Sequence, residues 1–321
     1  MFQHEVIKVP VLIIGYSRTT EIKQMVEKLI AFGAQNIYVA LDYSDDLKIR
    51  NKQNYLVTSL NAIKSPTIRV WYRNKNHGVG LGVITALDWF FYHHDKGIIL
   101  EDDLYFEKNF LEFCEEAFSS YKREDVFMIS GNRFDDASGV DSLSTTNYPQ
   151  IWGWATWREN WVEMRALILK VKTLHLKDLL KPNLCFFYSG ARRVHKGIVD
   201  TWDSPLAYEM LLRSKVCLLP PVNLVSNVGA DVHAAHTIKN DFPLNYPIKI
   251  LPNLAWQNPE SLRSTTKKSN IFLEKRVFGI RIFHVLSPYK MFLEEKLNYE
   301  KRRNVISLKQ RLIEVENFPK E

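Results

Sequence analysis

Three consecutive carboxylates follow a short apolar stretch of the chain. The apolar residues Ile98–Leu100 lead directly into Glu101, Asp102 and Asp103. Like charges this close together repel one another, and burying them without a partner is costly. A positive partner is therefore expected at this point. Carboxylate oxygens suit a hard divalent cation such as Mg²⁺ or Mn²⁺, which often bridges one or two carboxylates and the phosphates of a substrate.

The same three residues also have a simpler interpretation. They could form the solvated end of a strand, followed by the acidic residues that begin an ordinary helix. These three residues alone leave both interpretations open.

The first 130 residues alternate between apolar stretches of strand length and segments with helical periodicity. The predicted strands are residues 10–16, 36–42, 67–73, 97–101 and 126–130. Apolar residues recur at helical spacing between them, for example over 22–30, 82–94 and 110–121. This alternation predicts an α/β fold in which helices cover both faces of a mostly parallel sheet. Ligands bind such sheets beyond the carboxyl ends of the strands, where Asp42 and the three carboxylates fall.

Length and composition fit one large α/β domain, or one domain with an appendage. The chain has 321 residues, of which 46% are hydrophobic and 25% charged, so it can bury a sizeable core. The three cysteines form no CxxC pair, which favours reduced thiols in a reducing compartment. The first residues do not resemble a signal peptide, and no apolar run is long enough for a transmembrane helix.

The net charge of +7 lies mainly in the C-terminal segment. Residues 267–321 contain 13 Lys and Arg against 7 Asp and Glu, so residues 1–266 carry a net charge of only about +1. A nucleic-acid-binding core would need a basic face of its own, so no nucleic-acid partner is expected. We predict a basic, mostly helical C-terminal extension over 251–321, after a catalytic domain over 1–250.

Several segments together resemble the glycosyltransferases of the GT-A fold, in particular bacterial family-2-like enzymes and the N-acetylglucosaminyltransferase I group. The resemblance covers about residues 9–240. Its segments are VPVLIIGYSRTTEIKQMVEKL, the pair LD at 41–42, GIILEDDLYFEKNFLEFCEEAF, WGWATW and DTWDSP. It implies a Rossmann-like GT-A fold and a transfer reaction that uses Mn²⁺ or Mg²⁺ at a DXD-like motif.

The resemblance also implies roles for individual residues. Arg18, Asp42 and His77 would hold the nucleotide of the donor, Glu101 its sugar and Asp102 its ribose. Asp103 would bind the metal directly, and His236 would return to the metal or the phosphates. Asp203 would be the catalytic base, although relatives often have an aromatic or acidic residue after the Trp-Asp pair where this chain has Ser204-Pro205.

The residues themselves allow other interpretations. Arg18 could be a surface residue, Asp203 a helix cap and His236 a structural histidine. The tryptophans at 152, 154, 157 and 161 could stack on sugars or lie in the core. Trp157 and Trp161, four residues apart, fit one buried helix face, so Trp154 is the predicted ligand contact.

These observations predict a metal-dependent, inverting glycosyltransferase, active on a nucleotide-diphosphate sugar and on the hydroxyl of a glycan or lipid-linked acceptor in polysaccharide biosynthesis. The first alternative is a sugar-phosphate nucleotidyltransferase, although the segment after the first strand has only Gly15 where such an enzyme needs a glycine-rich loop. The second is a binding protein for nucleotide sugars or carbohydrates that has no activity. A cytoplasmic location is expected.

The C-terminal segment has two interpretations of its own. Basic residues interleave there with apolar ones such as Met291, Leu293 and Leu308. Such a segment can lie on an anionic membrane surface, here the inner face of the membrane. It can equally pack on the catalytic domain or on a second subunit.

Overall fold

The computed structural model describes residues 6–64, 67–135, 142–229, 245–250, 256–297 and 308–313. Its strands are β1 (Val11–Gly15), β2 (Asn36–Leu41), β3 (Thr67–Tyr72), β4 (Lys96–Glu101), β5 (Leu104–Phe106), β6 (Met128–Ser130), β7 (Ser144–Thr146), β8 (Trp154–Trp157), β9 (Cys217–Leu219) and β10 (Val225–Asn227). Its helices are α1 (Thr19–Ala31), α2 (Leu47–Asn61), α3 (Gly78–His93), α4 (Lys108–Ser120), α5 (Arg158–Leu169), α6 (Pro182–His195), α7 (Asp203–Leu212), α8 (Pro259–Arg263), α9 (Thr266–Phe272), α10 (Ser287–Leu297) and α11 (Leu308–Ile313). Short 3₁₀ helices lie at Leu176–Asp178 and Ile282–Leu286, and a π-helical turn at Leu273–Val277.

Eight of the strands form one sheet in the order β3-β2-β1-β4-β8-β6-β9-β7. Strands β3, β2, β1 and β4 are parallel, and β6 and β9 run in the same direction. Only β8 and β7 of this sheet run the opposite way. The predicted α/β fold with a mostly parallel sheet flanked by helices is therefore confirmed.

The direction in which the chain adds strands to the sheet reverses after β3. It first moves outward from β1 to β2 and β3, and then returns to place β4 on the other side of β1. The carboxyl ends of β1 and β4 thus border a topological switch point, the place where open α/β sheets bind ligands. Asp102 lies directly beyond β4, and its backbone N–H donates to the carbonyl of Ile14 at 3.1 Å.

The two faces of the sheet are buried in separate hydrophobic cores. On one face, α1 and α4 pack residues such as Ile22, Leu29 and Phe113 against the strands. On the other face, α3 and α5 pack residues such as Phe90 and Trp161. The helices expected over 22–30, 82–94 and 110–121 correspond to α1, α3 and α4. Buried residues recur at helical spacing in α1 and α4, whereas α3 is buried on nearly all sides.

A small antiparallel ribbon of β5 and β10 continues the acidic segment. Leu104 is opposite Asn227, and Phe106 is opposite Val225. Strand β5 was not predicted from the sequence, because a three-residue strand is too short to show an alternation, and β10 lies within 218–237, where a short strand and a loop were predicted. The ribbon brings residues 225–229 back to the three carboxylates.

The described part of the C-terminal segment is helical and packs on the body of the protein. Leu273 and Met291 are buried, and Leu308 is only 4% exposed. Tyr148 donates to the Glu274 carboxylate at 2.6 Å, across 126 residues of sequence. These contacts agree with the packing interpretation, and the C-terminal extension over 251–321 as a unit of its own stays a prediction.

The boundary at residue 250 and the contact with a membrane stay predictions. No helix among the described residues is long and apolar enough to cross a membrane.

Candidate functional site

Arg18 is the positive partner that the carboxylate segment requires. Its guanidinium donates from Nη1 to Asp102 Oδ1 at 3.1 Å and lies 3.9 Å from Asp103 Oδ2. The other oxygen of Asp102 accepts the backbone N–H of Tyr16 at 2.9 Å. Asp102 therefore ties the loop after β1 to the end of β4. Gly15 permits this approach, because a Cβ atom there would lie 3.1 Å from Asp102 Oδ2 and 2.4 Å from Ile22.

Asp103 is held on the other side by the segment that follows β10. Its backbone carbonyl accepts the N–H of Val228 at 2.9 Å, and Asn227 hydrogen-bonds its side chain. A Cβ atom at Gly229 would lie 2.6 Å from Asp103 Oδ2, so only glycine lets the chain pass so close. The Gly229 carbonyl also accepts a hydrogen bond from Arg18 at 3.3 Å.

The cluster holds more negative charge than its arginine can balance. Burial raises the pKa of Glu101 well above its usual value, and the charges of Asp103, Asp102 and Asp203 raise it further. Burial also raises the pKa of Asp102 and of Asp103, while Arg18 lowers both. Among the described residues, three carboxylates face one guanidinium, which leaves a formal deficit of two positive charges. A divalent cation would supply that charge.

The residues present suit Mg²⁺ or Mn²⁺, because the available ligands are carboxylate oxygens and 23% of the Asp103 side chain is exposed. Within the described ranges, no group of three His, Cys, Asp or Glu side chains forms a ready-made metal site. His236, the predicted second ligand, lies outside those ranges. The metal assignment of Asp103 and His236 thus stays a prediction.

Asp42 and His77, two of the residues assigned to the nucleotide, lie together at the end of β2. The Asp42 carboxylate accepts the backbone N–H groups of His77 at 3.0 Å and of Gly78 at 3.0 Å, at the start of α3. Buried Arg73, directly after β3, pairs with Asp42 at 3.7 Å and donates to the Gly82 carbonyl. Burial raises the pKa of Asp42, and burial lowers that of Arg73 to about 10.

Arg73 was not predicted as a site residue from the sequence. The available signal was its place at the carboxyl end of a parallel strand, beside Asp42. Asp42 and Arg73 together fix the loop that carries His77, and direct contact of Asp42 or His77 with a nucleotide stays a prediction.

The last described helix reaches the same loop. Arg311 of α11 donates to the His77 carbonyl at 2.6 Å and to Asp200 Oδ1 at 2.9 Å. Leu308 of the same helix is buried, which fixes α11 against α3. This second arginine was also missed, because 234 residues separate it from His77.

Asp203 is the first residue of α7 and is partly buried. Its Oδ1 atom accepts hydrogen bonds from the Thr201 hydroxyl at 2.6 Å and from the Ser204 backbone N–H at 2.7 Å. These bonds fix the orientation of the carboxylate. Asp203 also lies close enough to raise the pKa of Glu101 by its charge. The predicted catalytic base therefore lies within electrostatic range of the acidic cluster, and its role as base stays a prediction.

Asp203 lines a cavity of about 210 Å³, which we call the Asp203 cavity. Its polar lining includes Asn132 and Gln150, and its aromatic lining includes Phe134, Trp152 and Phe187. Trp154, the tryptophan predicted to contact a ligand, does not line this cavity. It is 0% exposed and stacks on Trp202 with ring centroids 5.7 Å apart.

Trp154 is therefore enclosed in the core of this conformation, because its position in β8 directs it to the α3 and α5 side of the sheet. Trp152, two residues earlier and outside the strand, faces the cavity instead. Trp161 is buried as expected.

Trp154→Ala is expected to lower the free energy of unfolding by about 3–5 kcal/mol, the usual cost of truncating a fully buried tryptophan. Trp152→Ala is the matched control, because this side chain is only partly buried. We expect a smaller loss of stability from it and a clear loss of ligand affinity. Urea unfolding followed by circular dichroism measures the first quantity. If Trp154→Ala unfolds at the wild-type urea concentration but binds ligand more weakly, Trp154 is a ligand contact after all.

Comparisons with known proteins are limited to distant structural likeness. No protein-family model matches the chain, and a search of curated proteins found no match. The mannosyltransferase PcManGT from Pyrobaculum calidifontis, solved with GDP-Man and Mn²⁺, is 10% identical and has a TM-score of 0.37, over 64% of this chain and 75% of its own. A UDP-glucose pyrophosphorylase solved with UDP-glucose is 8% identical and has a TM-score of 0.36, over 66% of this chain and 90% of its own. HddC from Yersinia pseudotuberculosis is 14% identical and has a TM-score of 0.31, over 47% of this chain and 77% of its own.

These values are too low to assign a family or an activity. They include both a sugar transferase and a pyrophosphorylase, so they do not choose between the two enzyme classes that the sequence left open. The resemblance to the N-acetylglucosaminyltransferase I group finds no support among these matches. The activity proposed for this chain therefore rests on the geometry of its own site.

Proposed function

We propose that this chain is a metal-dependent, inverting glycosyltransferase that uses a nucleotide-diphosphate sugar. The observation that carries the proposal is the position of Asp203. Its carboxylate lies within electrostatic range of Glu101 in the acidic cluster and also lines a cavity. A donor held at the cluster and an acceptor held in the cavity would therefore meet at one carboxylate.

In the proposed reaction, Asp203 accepts the proton of an acceptor hydroxyl as that oxygen forms a bond to the anomeric carbon of the sugar. The bond between the anomeric carbon and the diphosphate oxygen breaks, and the nucleoside diphosphate leaves with its electron pair. Attack from the side opposite the leaving group inverts the anomeric configuration. Thr201 and Ser204 keep the Asp203 carboxylate oriented through their hydrogen bonds.

The residues of the cluster would bind the donor. Asp102 would accept hydrogen bonds from the ribose, Glu101 would contact the sugar, and the loop fixed by Asp42 would hold the nucleotide. Asp103 would hold Mg²⁺ or Mn²⁺, and a bound cation supplies charge stabilisation to the departing diphosphate. His236, which lies outside the described ranges, would be a second ligand of the metal or would contact the phosphates.

The test is a panel of nucleotide sugars measured by thermal shift, with and without Mn²⁺, followed by product analysis for the donor that stabilises the protein. Release of free nucleoside diphosphate that depends on Mn²⁺ is expected. Consumption or release of pyrophosphate would identify a nucleotidyltransferase instead. Donor binding without turnover, with any acceptor offered, would identify a binding protein.

A further inference from the structure

A second cavity lies beside the Asp203 cavity, between α6 and the C-terminal segment. Its volume is about 320 Å³, and we call it the basic cavity. Three basic side chains line it, Arg193 of α6, His284 of the 3₁₀ helix and Lys290 of α10. Three hydroxyl groups line it as well, from Ser189, Ser204 and Ser287. None of the described lining residues is acidic.

Such a lining suits an anion that accepts several hydrogen bonds, above all a phosphate. Arginine and lysine give phosphates charge-assisted hydrogen bonds, and hydroxyl groups can donate further ones. His284 offers a further ring nitrogen, Nε2, because its Nδ1 atom already contacts the backbone N–H of Arg281 at 2.9 Å and the Arg281 carbonyl at 3.1 Å.

The two cavities are neighbours. Phe187 and Ser204 line both of them, and Ser204 directly follows Asp203 in the chain. The Ser204 hydroxyl also lies 3.4 Å from Asp203 Oδ1. A molecule with its hydroxyl at Asp203 could therefore place a phosphate in the basic cavity.

Exposed apolar residues lie on the same two elements as two of the residues that line the basic cavity. We call this the C-terminal apolar surface and define it by residues that are 56% to 75% exposed: Ile282, Phe283, Leu286 and Tyr289. These residues share two short elements with the cavity-lining His284 and Lys290. A cationic cavity beside exposed apolar side chains matches a ligand that carries a phosphate and a hydrocarbon chain.

We infer that the basic cavity binds the phosphate of an amphiphilic lipid phosphate, whose hydrocarbon chain lies on the C-terminal apolar surface. The inference rests on the proposed function in one respect, since it makes this molecule the acceptor whose hydroxyl reaches Asp203. Arg193 and Lys290 bind the phosphate, and Ile282 and Phe283 contact the hydrocarbon chain.

Monododecyl phosphate, below its micellar concentration, is the probe, and isothermal titration calorimetry is the measurement. The full chain is expected to bind it at least about tenfold more tightly than inorganic phosphate or the uncharged dodecyl maltoside, since only this probe has both parts. Arg193→Gln and Lys290→Gln should each weaken binding by about tenfold. Ile282→Ser should weaken dodecyl phosphate binding and leave that of inorganic phosphate unchanged.

Lys267→Gln is the matched control. It removes one exposed positive charge from α9, outside the cavity lining, and should leave the affinity unchanged. The exposed Lys290 keeps the test valid if Arg193→Gln fails to fold. Equal affinity for dodecyl phosphate and inorganic phosphate would overturn the inference. So would equal weakening by the Lys267 and Lys290 substitutions.

Failure of this inference is distinguishable from failure of the proposed function. Nucleotide-sugar binding does not involve the basic cavity, so Arg193→Gln and Lys290→Gln should both keep it. A chain that binds nucleotide sugars but ignores dodecyl phosphate would refute only the lipid phosphate site. A chain that binds dodecyl phosphate through these residues but neither binds nor turns over any donor would refute the glycosyltransferase and the acceptor role, while the binding site would stand.

Discussion

Asp203→Asn is expected to slow sugar transfer by about 10²–10⁴-fold, the usual contribution of a general base. Asparagine keeps the size and can still accept hydrogen bonds from Thr201 and Ser204, so the start of α7 should remain intact. The affinity for the donor should stay near the wild-type value. Steady-state kinetics and donor titration by calorimetry measure the two quantities separately.

Asp200→Asn is the control for this substitution. Asp200 is a partly buried acid three residues earlier, and it pairs with Arg311 rather than lining the Asp203 cavity. Its substitution should cost far less turnover than that of Asp203. Near-normal turnover in Asp203→Asn would move the base elsewhere. Asp135, Asp136 and Asp231 would be tested next, of which only Asp135 lies among the described residues, where it pairs with Arg133 at 2.8 Å.

Asp103→Ala is expected to abolish the part of donor binding that depends on metal. A decrease in affinity of at least about 100-fold in the presence of Mn²⁺, ~2.7 kcal/mol, would be the signature. The fold should survive, because the backbone carbonyl of Asp103, and not its side chain, accepts the N–H of Val228. Titration of the donor with and without Mn²⁺ separates the metal-dependent part from the rest.

Glu107→Ala is the matched control, since Glu107 is a nearby acid whose carboxylate pairs with Lys28 at 2.9 Å, away from Arg18. Its metal-dependent donor binding should equal that of the wild type. A chain with Asp103→Ala that still binds the donor as tightly in Mn²⁺ as the wild type would show that the cation, if bound, is held by other residues.

The carboxyl edge of the sheet was predictable from the sequence because it follows from local patterns. Buried parallel strands appear as continuous apolar stretches, and each such stretch ends at a recognisable polar residue. Asp42 and Asp102 could therefore be placed at one edge without knowing the strand order. The pairing of Asp102 with Arg18 was within reach for the same reason, since both follow neighbouring strands.

The linings of the Asp203 cavity and of the basic cavity could not be predicted in this way. Strand β8 runs antiparallel between β4 and β6, and nothing in its four residues indicates which face of the sheet Trp154 occupies. Whether Trp152 or Trp154 faces the cavity depends on the residue at which β8 begins, and tertiary packing determines that residue. Arg193 and Lys290 likewise meet only because α6 and α10 pack together.

The hydrogen bond between Arg311 and the His77 carbonyl also affects the order in which parts of the site form during protein synthesis. His77 leaves the ribosome 234 residues ahead of Arg311, whose guanidinium donates a hydrogen bond to the His77 carbonyl. At about 5–20 residues per second, that interval lasts roughly 12–47 s. Once β9 (Cys217–Leu219) has left the ribosome, 92 residues before Arg311, the sheet and the carboxylates at its edge can fold while the loop at the start of α3 still lacks its contact with Arg311. A nascent chain should therefore acquire the acidic cluster before the loop that carries His77 is fully held in place.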